Sequence, residues 1–157
     1  MLILGIDPGT ARIGVGLIEY KNKKAALVAF DCLTTKPEET TAERLNDLYQ
    51  KLTKFIKKHK PEIITVEDIF FFKNTKTIIK VSQARGVILL AAARQNIEVR
   101  EFTPLQVKQA ITGYGRAEKK QMQQMVKVVL NLKEIPRPDD AADALAVAVC
   151  CAHSLKI

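Results

Sequence analysis

Apolar residues recur along this chain with two periods, which separate candidate strands from candidate helices. Short apolar runs bounded by turn residues predict five strands. They cover residues 2–6, 13–18, 25–32, 63–67 and 98–102. Only short polar turns separate the first three strands, so the chain is predicted to open with an antiparallel three-stranded meander.

Helical spacing of apolar residues predicts five helices. They cover residues 41–59, 78–95, 103–112 and 118–130, with a last helix that ends near Ser154. The second helix is apolar around much of its circumference, which predicts burial on two sides. A proline-containing linker at residues 136–138 precedes the last helix, and we expect Asp139 or Asp140 to be its N-cap.

This order of elements predicts an α/β fold in which helices flank a mixed five-stranded sheet. The length favours one domain over residues 1–157, with a substantial core. The sequence has no apolar run of about 18 residues that would span a membrane. The N-terminus lacks the basic segment of a signal peptide and meets Asp7 early, so we interpret it as a strand. Three cysteines without metal-ligand spacing favour a reduced, cytoplasmic protein.

Four carboxylates occupy places along the chain where apolar residues are expected. Asp7 follows the first apolar run, Glu67 ends the fourth, and Asp140 and Asp143 lie in the apolar last helix. An ionised carboxylate in apolar surroundings is unfavourable unless it is paired or binds a metal. The four acids are therefore candidates for a functional site, although an N-cap role would explain Asp140 by itself and Asp68 fits a solvated neighbour of Glu67.

The expected topology brings these acids together. If the first and fourth strands are neighbours, Asp7 and Glu67 lie at the same end of the sheet, and residues three apart share a helix face. Clustered carboxylates suit Mg²⁺ or Mn²⁺, which prefer oxygen ligands. Two such ions about 4 Å apart activate a water and stabilise the leaving oxygen in phosphodiester cleavage. The acids thus indicate metal-dependent phosphodiester chemistry.

The charge of the remaining chain suggests the substrate. There are 25 Lys and Arg against 17 Asp and Glu, which gives a net charge of +8 and a pI near 9.5. An acidic, cation-binding cluster in a basic protein favours a polyanionic substrate, namely nucleic acid. A merely solvated basic surface is the alternative explanation of this charge.

Six local patterns carry a resemblance to a known family. They are Gly5-Ile6-Asp7-Pro8-Gly9, the strand that ends at Glu67, Gln83-Ala84-Arg85-Gly86-Val87, Gln106-Val107-Lys108-Gln109, Gly113-Tyr114-Gly115-Arg116-Ala117-Glu118-Lys119 and Asp140-Ala141-Ala142-Asp143-Ala144-Leu145-Ala146. Together they resemble the RuvC family of bacterial Holliday junction resolvases, within the ribonuclease H-like superfamily. The resemblance covers nearly the whole chain.

The resemblance implies a ribonuclease H-like fold and a structure-selective endodeoxyribonuclease active in recombination and DNA repair. It places the family's catalytic and metal-binding carboxylates at Asp7, Glu67, Asp140 and Asp143. It implies Mg²⁺ or Mn²⁺, with two ions per site, and a homodimer that nicks two like-polarity strands of a four-way DNA junction symmetrically. It also implies the branch-migration proteins RuvA and RuvB as partners. Asp139 adds a neighbouring acid, but the Asp-Ala-Ala-Asp spacing favours Asp140.

The resemblance also implies DNA-contacting residues. Lys108 and Lys119 match family lysines that line the DNA cleft, although Lys119 also fits an ordinary helix-surface lysine. Phe70 and Phe71 match aromatics that contact unpaired bases at the crossover, and Lys73 follows them. The helix over residues 78–95 matches the family's dimer-forming helix.

Three other function classes fit parts of the sequence. The Gly-x-Asp-x-Gly-Thr segment at residues 5–10 also occurs in sugar and acetate kinase-like proteins, but that architecture needs two such domains. Another ribonuclease H-like nuclease acting on RNA or an RNA·DNA hybrid has the same sheet and acids. A non-catalytic nucleic-acid-binding module is disfavoured because all four carboxylates are present.

Overall fold

The described residues form five strands and five helices that flank them. The computed structural model describes residues 1–9, 11–68 and 75–155. Its elements are β1 (Leu2–Asp7), β2 (Arg12–Lys21), β3 (Lys24–Thr34), α1 (Thr41–His59), β4 (Ile63–Glu67), α2 (Thr75–Arg94), β5 (Glu98–Phe102), α3 (Pro104–Thr112), α4 (Lys119–Val129) and α5 (Asp139–Ser154). The predicted strands and helices are confirmed, with boundaries that differ by a few residues.

The strands form one mixed sheet in the order β3-β2-β1-β4-β5. The pairs β1–β2 and β2–β3 are antiparallel, which confirms the predicted meander, and β1–β4 and β4–β5 are parallel. In the central parallel pair Ile6 lies opposite Val66. Asp7 and Glu67, the next residue of each strand, therefore leave the sheet at the same edge.

Each face of the sheet is covered by helices over a separate apolar core. On one face, Leu4 and Ile6 of β1 pack with residues of α1 and α2 such as Leu52 and Ile88. On the other face, Ile3 packs with α3, α4 and α5. The helix α5 is buried along nearly its whole length, from Ala141 to Ala152, with Asp143 as a partly exposed exception. The acids of α5 therefore belong to an element fixed in the core.

Glycines in β1 and β2 let α5 approach the sheet unusually closely. A Cβ atom on Gly5 would lie 2.0 Å from the carbonyl oxygen of Ala144, and one on Gly14 would lie 1.8 Å from that of Asp140. Gly14 is also the β2 residue opposite Asp7. The absence of a side chain at Gly14 thus brings the first turn of α5 beside the end of β1.

Gly14→Ala should test this close approach. The added methyl group must displace the backbone at Asp140, because a Cβ cannot lie 1.8 Å from an oxygen. We expect the variant to lose about 1–3 kcal/mol of stability, the usual cost of overpacking. A displacement of about 1 Å at a reacting group costs roughly a hundredfold in rate, so any reaction that depends on Asp140 should slow by that order. Thermal unfolding and single-turnover rates check both effects; an unchanged rate would contradict the proposed positioning.

One expectation about the helices is wrong. The N-cap of α5 is Pro138, and neither Asp139 nor Asp140 caps the helix; both lie in its first turn, where the helix dipole favours negative charge. The side chain of Asp139 pairs with Lys119, with 3.5 Å between Oδ2 and Nζ. The predicted burial of α2 on two sides is met on one side within the chain, and Ile79, 66% exposed, and Leu90, 53% exposed, lie on the other.

Two bulk expectations can be compared with the structure. The cysteines at positions 32, 150 and 151 are free thiols, in agreement with their spacing. Across the described ranges, no helix combines the length and apolar character that a bilayer crossing requires.

Candidate active site

Four carboxylates from three elements meet at one edge of the sheet. Asp7 ends β1, Glu67 ends β4, and Asp140 and Asp143 lie in the first turns of α5. Burial is the largest cause of a rise in the pKa of Asp7 from 3.8 to about 8, and the negative charges of Glu67, Asp143 and Asp140 contribute to the same rise. The charges of all three other candidate acids therefore act on Asp7.

Two of the other acids are perturbed in the same direction. Burial, followed by the charge of Asp143, raises the pKa of Glu67 from 4.5 to about 7, while Lys108 opposes the shift. Burial also raises the pKa of Asp143, while a hydrogen bond from Lys119 opposes it. Strong desolvation combined with specific charge partners is typical of functional sites rather than of structural ion pairs.

Lys119 is the cation that pairs directly with the cluster among the described residues. Its Nζ lies 3.1 Å from Oδ2 of Asp143 and 3.5 Å from Oδ2 of Asp139. More than half of the Lys119 side chain is exposed, so these ion pairs add little to stability. Their main effect is local: a positive charge stands between the acids and solvent.

Asp139 takes a different place from the four clustered acids. It is exposed and pairs with Lys119, and it does not contribute to the shifted pKa of Asp7, whereas Asp140 does. Asp140 thus acts on Asp7, whereas Asp139 acts on Asp143 and pairs with Lys119.

The donor set fits a hard divalent cation. Carboxylate oxygens are the ligands that Mg²⁺ and Mn²⁺ prefer, and because the pKa values of Asp7 and Glu67 are raised, binding of a cation would favour release of protons from these acids. In the described part of the chain, no three His, Cys, Asp or Glu side chains are already spaced as a metal site. The carboxylates are close enough to repel one another, and a bound cation would draw them together.

A polar cleft of about 590 Å³ opens beside the acids. It is lined by Gly9, Ala11, Arg12, Lys119, Arg137, Pro138, Asp139 and Asp140. Arg12 begins β2, and Arg137 lies just before α5. Both arginines are exposed. Sequence reasoning missed them, although each follows or precedes a predicted acid by a few residues, which is a usable signal. The cleft offers three cations for a phosphate next to the acids.

Arg85 is a third residue whose role the sequence did not reveal. Its Nη2 lies 2.5 Å from Oε2 of Glu101 and 3.7 Å from Oδ1 of Asp68. The backbone N–H of Asp68 donates to the Phe102 carbonyl at 2.8 Å. The residue after Glu67 is thus tied to both α2 and β5, which fixes the direction in which Glu67 leaves its strand. Asp68 is therefore more than the solvated neighbour that the sequence suggested.

The structure brings two of the predicted DNA-contacting residues to the site. Lys108 lies on α3, where its charge acts on Glu67, and Lys119 begins α4 against Asp143. The other three, Phe70, Phe71 and Lys73, fall outside the described residues.

Comparison with known proteins gives consistent matches over the length of the chain. The family model described as Crossover junction endodeoxyribonuclease RuvC matches residues 3–151. The Crossover junction endodeoxyribonuclease RuvC of Caldanaerobacter subterraneus subsp. tengcongensis is 54% identical over 154 residues, 98% of this chain and 93% of the relative. Thermus thermophilus RuvC superposes with a TM-score of 0.90 at 36% identity, over 98% of this chain and 94% of that one. The same protein in complex with a Holliday junction substrate gives a TM-score of 0.88 at 34% identity, with the same coverage.

Proposed function

The chain belongs to the RuvC family of crossover junction endodeoxyribonucleases, and on that premise we propose that its acidic cluster hydrolyses DNA strands at four-way junctions. The protein is a Holliday junction resolvase. The observation that carries the assignment of the site is the raised pKa of Asp7, which results from burial and from the charges of Glu67, Asp143 and Asp140. Family membership favours this function over an RNA-directed nuclease or a kinase-like domain.

The four acids are proposed as ligands of two Mg²⁺ ions per site, with Mn²⁺ as a substitute. When bound, the cations supply an activated water and stabilise the leaving oxygen. The charges of the other three acids all act on Asp7, which is the proposed shared ligand, and Asp143, now paired with Lys119, would hold a cation in place of that pair. Lys119 is then free to reach the substrate phosphate.

Basic residues beside the acids are proposed to hold the DNA backbone. Without them the acids would repel the phosphates. Arg12, Arg137 and Lys119 line the cleft next to Asp140, and the charge of Lys108 acts on Glu67. These cations would hold a phosphate beside the acids, since contacts to phosphate oxygens position a nucleic acid and charge-assisted hydrogen bonds are the strong ones.

The assembly is proposed to be a homodimer formed through α2. Ile79 and Leu90 are large apolar side chains that α2 exposes, although its other side is packed into the core through Ala84 and Ile88. A partner helix would bury them. Two active sites related by a two-fold axis suit symmetric nicking of a junction. We also propose one domain over residues 1–157, cooperation with RuvA and RuvB, and a cytoplasmic location.

One comparison of substrates tests the proposed function. A synthetic four-way junction, a linear duplex of the same sequence and an RNA·DNA hybrid are each incubated with Mg²⁺ or with chelator. We expect paired nicks at symmetric positions in the junction, only with the metal present. Equal cleavage of the linear duplex would contradict junction selectivity, and preferential cleavage of the hybrid would favour the ribonuclease alternative.

Binding in chelator should depend steeply on salt. Each neutralised phosphate contributes about −0.9 to the slope of log affinity against log salt. Lys108→Ala and Arg137→Ala should each reduce the slope by about one. Lys57→Ala is the matched control, because Lys57 is an exposed lysine in the last turn of α1, at the end of the sheet opposite the acids. Titration of labelled junction at several salt concentrations measures the slopes; equal slopes for all four proteins would contradict the cleft assignment.

A further inference from the structure

The outer edge of β3 is open in the described part of the chain. β3 is the terminal strand of the sheet and pairs only with β2 among the described strands. It is 11 residues long. Proteins normally protect such an edge by keeping it short, charged or covered, because its backbone groups can pair with another strand.

Part of this edge carries exposed apolar side chains instead of protecting charges. Val28 is 48% exposed and Phe30 is 40% exposed. Beyond them the edge is covered: Asp31 accepts the N–H of Cys32 at 2.7 Å, and Lys51 donates to the Thr34 carbonyl at 2.6 Å. The segment over residues 26–30 lacks such cover. It contains one irregularity, because Leu17 pairs with Ala29 and Ile18 with Leu27, which leaves Val28 as an extra residue, so the regular part of the open edge is centred on Phe30.

The same two side-chain hydrogen bonds show which backbone groups point away from β2. The N–H of Cys32 and the carbonyl of Thr34 are bonded to side chains rather than to the neighbouring strand. In an antiparallel strand, the N–H and carbonyl groups of every second residue point to the same side. Phe30 is two residues before Cys32, so its N–H and carbonyl also point away from β2. An added strand would find a donor and an acceptor at this position.

Two grooves of different character flank this edge. On the α1 side, a groove of about 440 Å³ runs between β3 and the side chains of Lys51, Lys54 and Lys58. Lys51 is paired with Asp47, whereas Lys54 and Lys58 are exposed and form no ion pair with any described residue. Asp31 also lines the α1-side groove and offsets one of these two charges, so the groove keeps a net positive charge on its α1 wall.

On the opposite side of the sheet, the second groove is mainly apolar. It has a volume of about 270 Å³, and its lining includes Leu27 and Phe30 of β3 with Leu132, Ile135 and Pro136 from the segment before α5. Successive side chains of an added strand would enter the two grooves in turn, because they point to opposite faces of a sheet.

We propose that the edge of β3 binds an extended segment of a partner protein as an additional strand, with acidic and apolar residues in alternation. The acidic residues face Lys54 and Lys58, and the apolar ones pack on Phe30. A nucleic acid fits less well, because the outward carbonyls of the edge would face its phosphates. A second copy of this chain also fits less well, because antiparallel pairing of two β3 edges would bring the lysines of both copies to the same face.

The test uses the full chain and two fluorescent eight-residue peptides. One alternates Glu and Val, and the other has the same composition with the four Glu before the four Val. We expect the alternating peptide to bind at least about tenfold more tightly, because only its pattern matches both grooves. N-methyl groups on one edge of the alternating peptide should abolish binding, while those on the other edge should leave it intact. Equal binding of all the peptides would overturn the proposal.

Variants locate the site on the protein. Phe30→Glu and the double variant Lys54→Glu, Lys58→Glu should each weaken binding of the alternating peptide about tenfold or more. Val28→Glu provides a second test of the edge if Phe30→Glu does not fold. Lys57→Glu is the matched control, since Lys57 is an exposed neighbour that does not line the groove, and it should bind the peptide normally.

Two further results would overturn the choice of partner. Loss of junction affinity in the lysine double variant, with unchanged peptide affinity, would show that the basic groove holds DNA. A change in oligomeric state caused by Phe30→Glu alone would show that β3 pairs with a second copy. Neither junction cleavage nor oligomeric state should change in Phe30→Glu if the edge serves a separate partner.

Discussion

Asp7→Asn should cleave four-way junctions slower than the unmodified protein by on the order of a thousandfold or more. Asparagine has nearly the shape of aspartate but lacks the charge that holds a cation. Asp7 is the acid on which the charges of Glu67, Asp143 and Asp140 all act. Removing its charge therefore removes the shared ligand of the proposed site. Junction binding in chelator should persist or tighten, because one negative charge near the phosphates is lost.

Asp139→Asn is the matched control for this variant. It makes the same change of charge beside Asp140, but Asp139 is exposed, pairs with Lys119 and does not act on Asp7. Its rate should change far less than that of Asp7→Asn. Single-turnover rates with saturating protein separate the chemical step from binding. Cleavage by Asp7→Asn at the unmodified rate, or equal losses in the two variants, would contradict the assigned ligand set.

The position of the acids could be predicted because it depends on local pattern. Asp7 and Glu67 directly follow apolar runs, and the residue at the end of a strand lies at the edge of the sheet. Only the adjacency of β1 and β4 had to be assumed, and the strand order confirms it. The spacing of Asp140 and Asp143 predicts a shared helix face in the same local way.

The basic residues around the site depend on tertiary structure and could not be predicted in the same way. Arg12 and Arg137 are far apart in sequence, and the cleft between them exists only because β2 and the segment before α5 meet. The contact of Arg85 with Glu101 likewise joins α2 to β5. Long charged side chains reach several neighbours, so sequence alone does not identify their partners.

For Gly5 and Gly14, too, the local structure could be predicted from the sequence, but the tertiary contact could not. The sequence places Gly5 and Gly14 in predicted strands, where glycine weakens the strand and indicates a close approach of some other group. It does not say which group approaches. The structure identifies the backbone of α5 at Ala144 and Asp140. The cap of α5 was mispredicted for a related reason: the helix begins at Asp139 with Pro138 as its cap, and the side chain of Asp139 pairs with Lys119, a residue distant in sequence.

Without metal, the protein should lose stability as the pH rises from about 4 to about 8. The pKa of Asp7 is about 8 in the folded chain against an ordinary value of 3.8, and the pKa of Glu67 is about 7 against 4.5. Between these limits the folded state holds protons that the unfolded state has released. The stabilising contribution of each group is therefore complete below its unfolded pKa and is lost as the pH passes its folded pKa.

Asp7→Asn should remove most of this pH dependence. The amide does not titrate, and its neutrality also relieves the repulsion on Glu67. The variant should therefore be more stable than the unmodified protein in chelator, by an amount that grows from near zero at pH 4 to several kcal/mol at pH 8. Urea unfolding of both proteins at pH 4, 6 and 8 measures this difference, and Asp139→Asn again serves as the control. Mg²⁺ at pH 8 should restore stability to the unmodified protein and not to Asp7→Asn, because a ligand that binds only the folded state stabilises it. A difference in stability that stayed constant with pH would show that Asp7 does not occupy the buried, charge-crowded position that the proposed metal site requires.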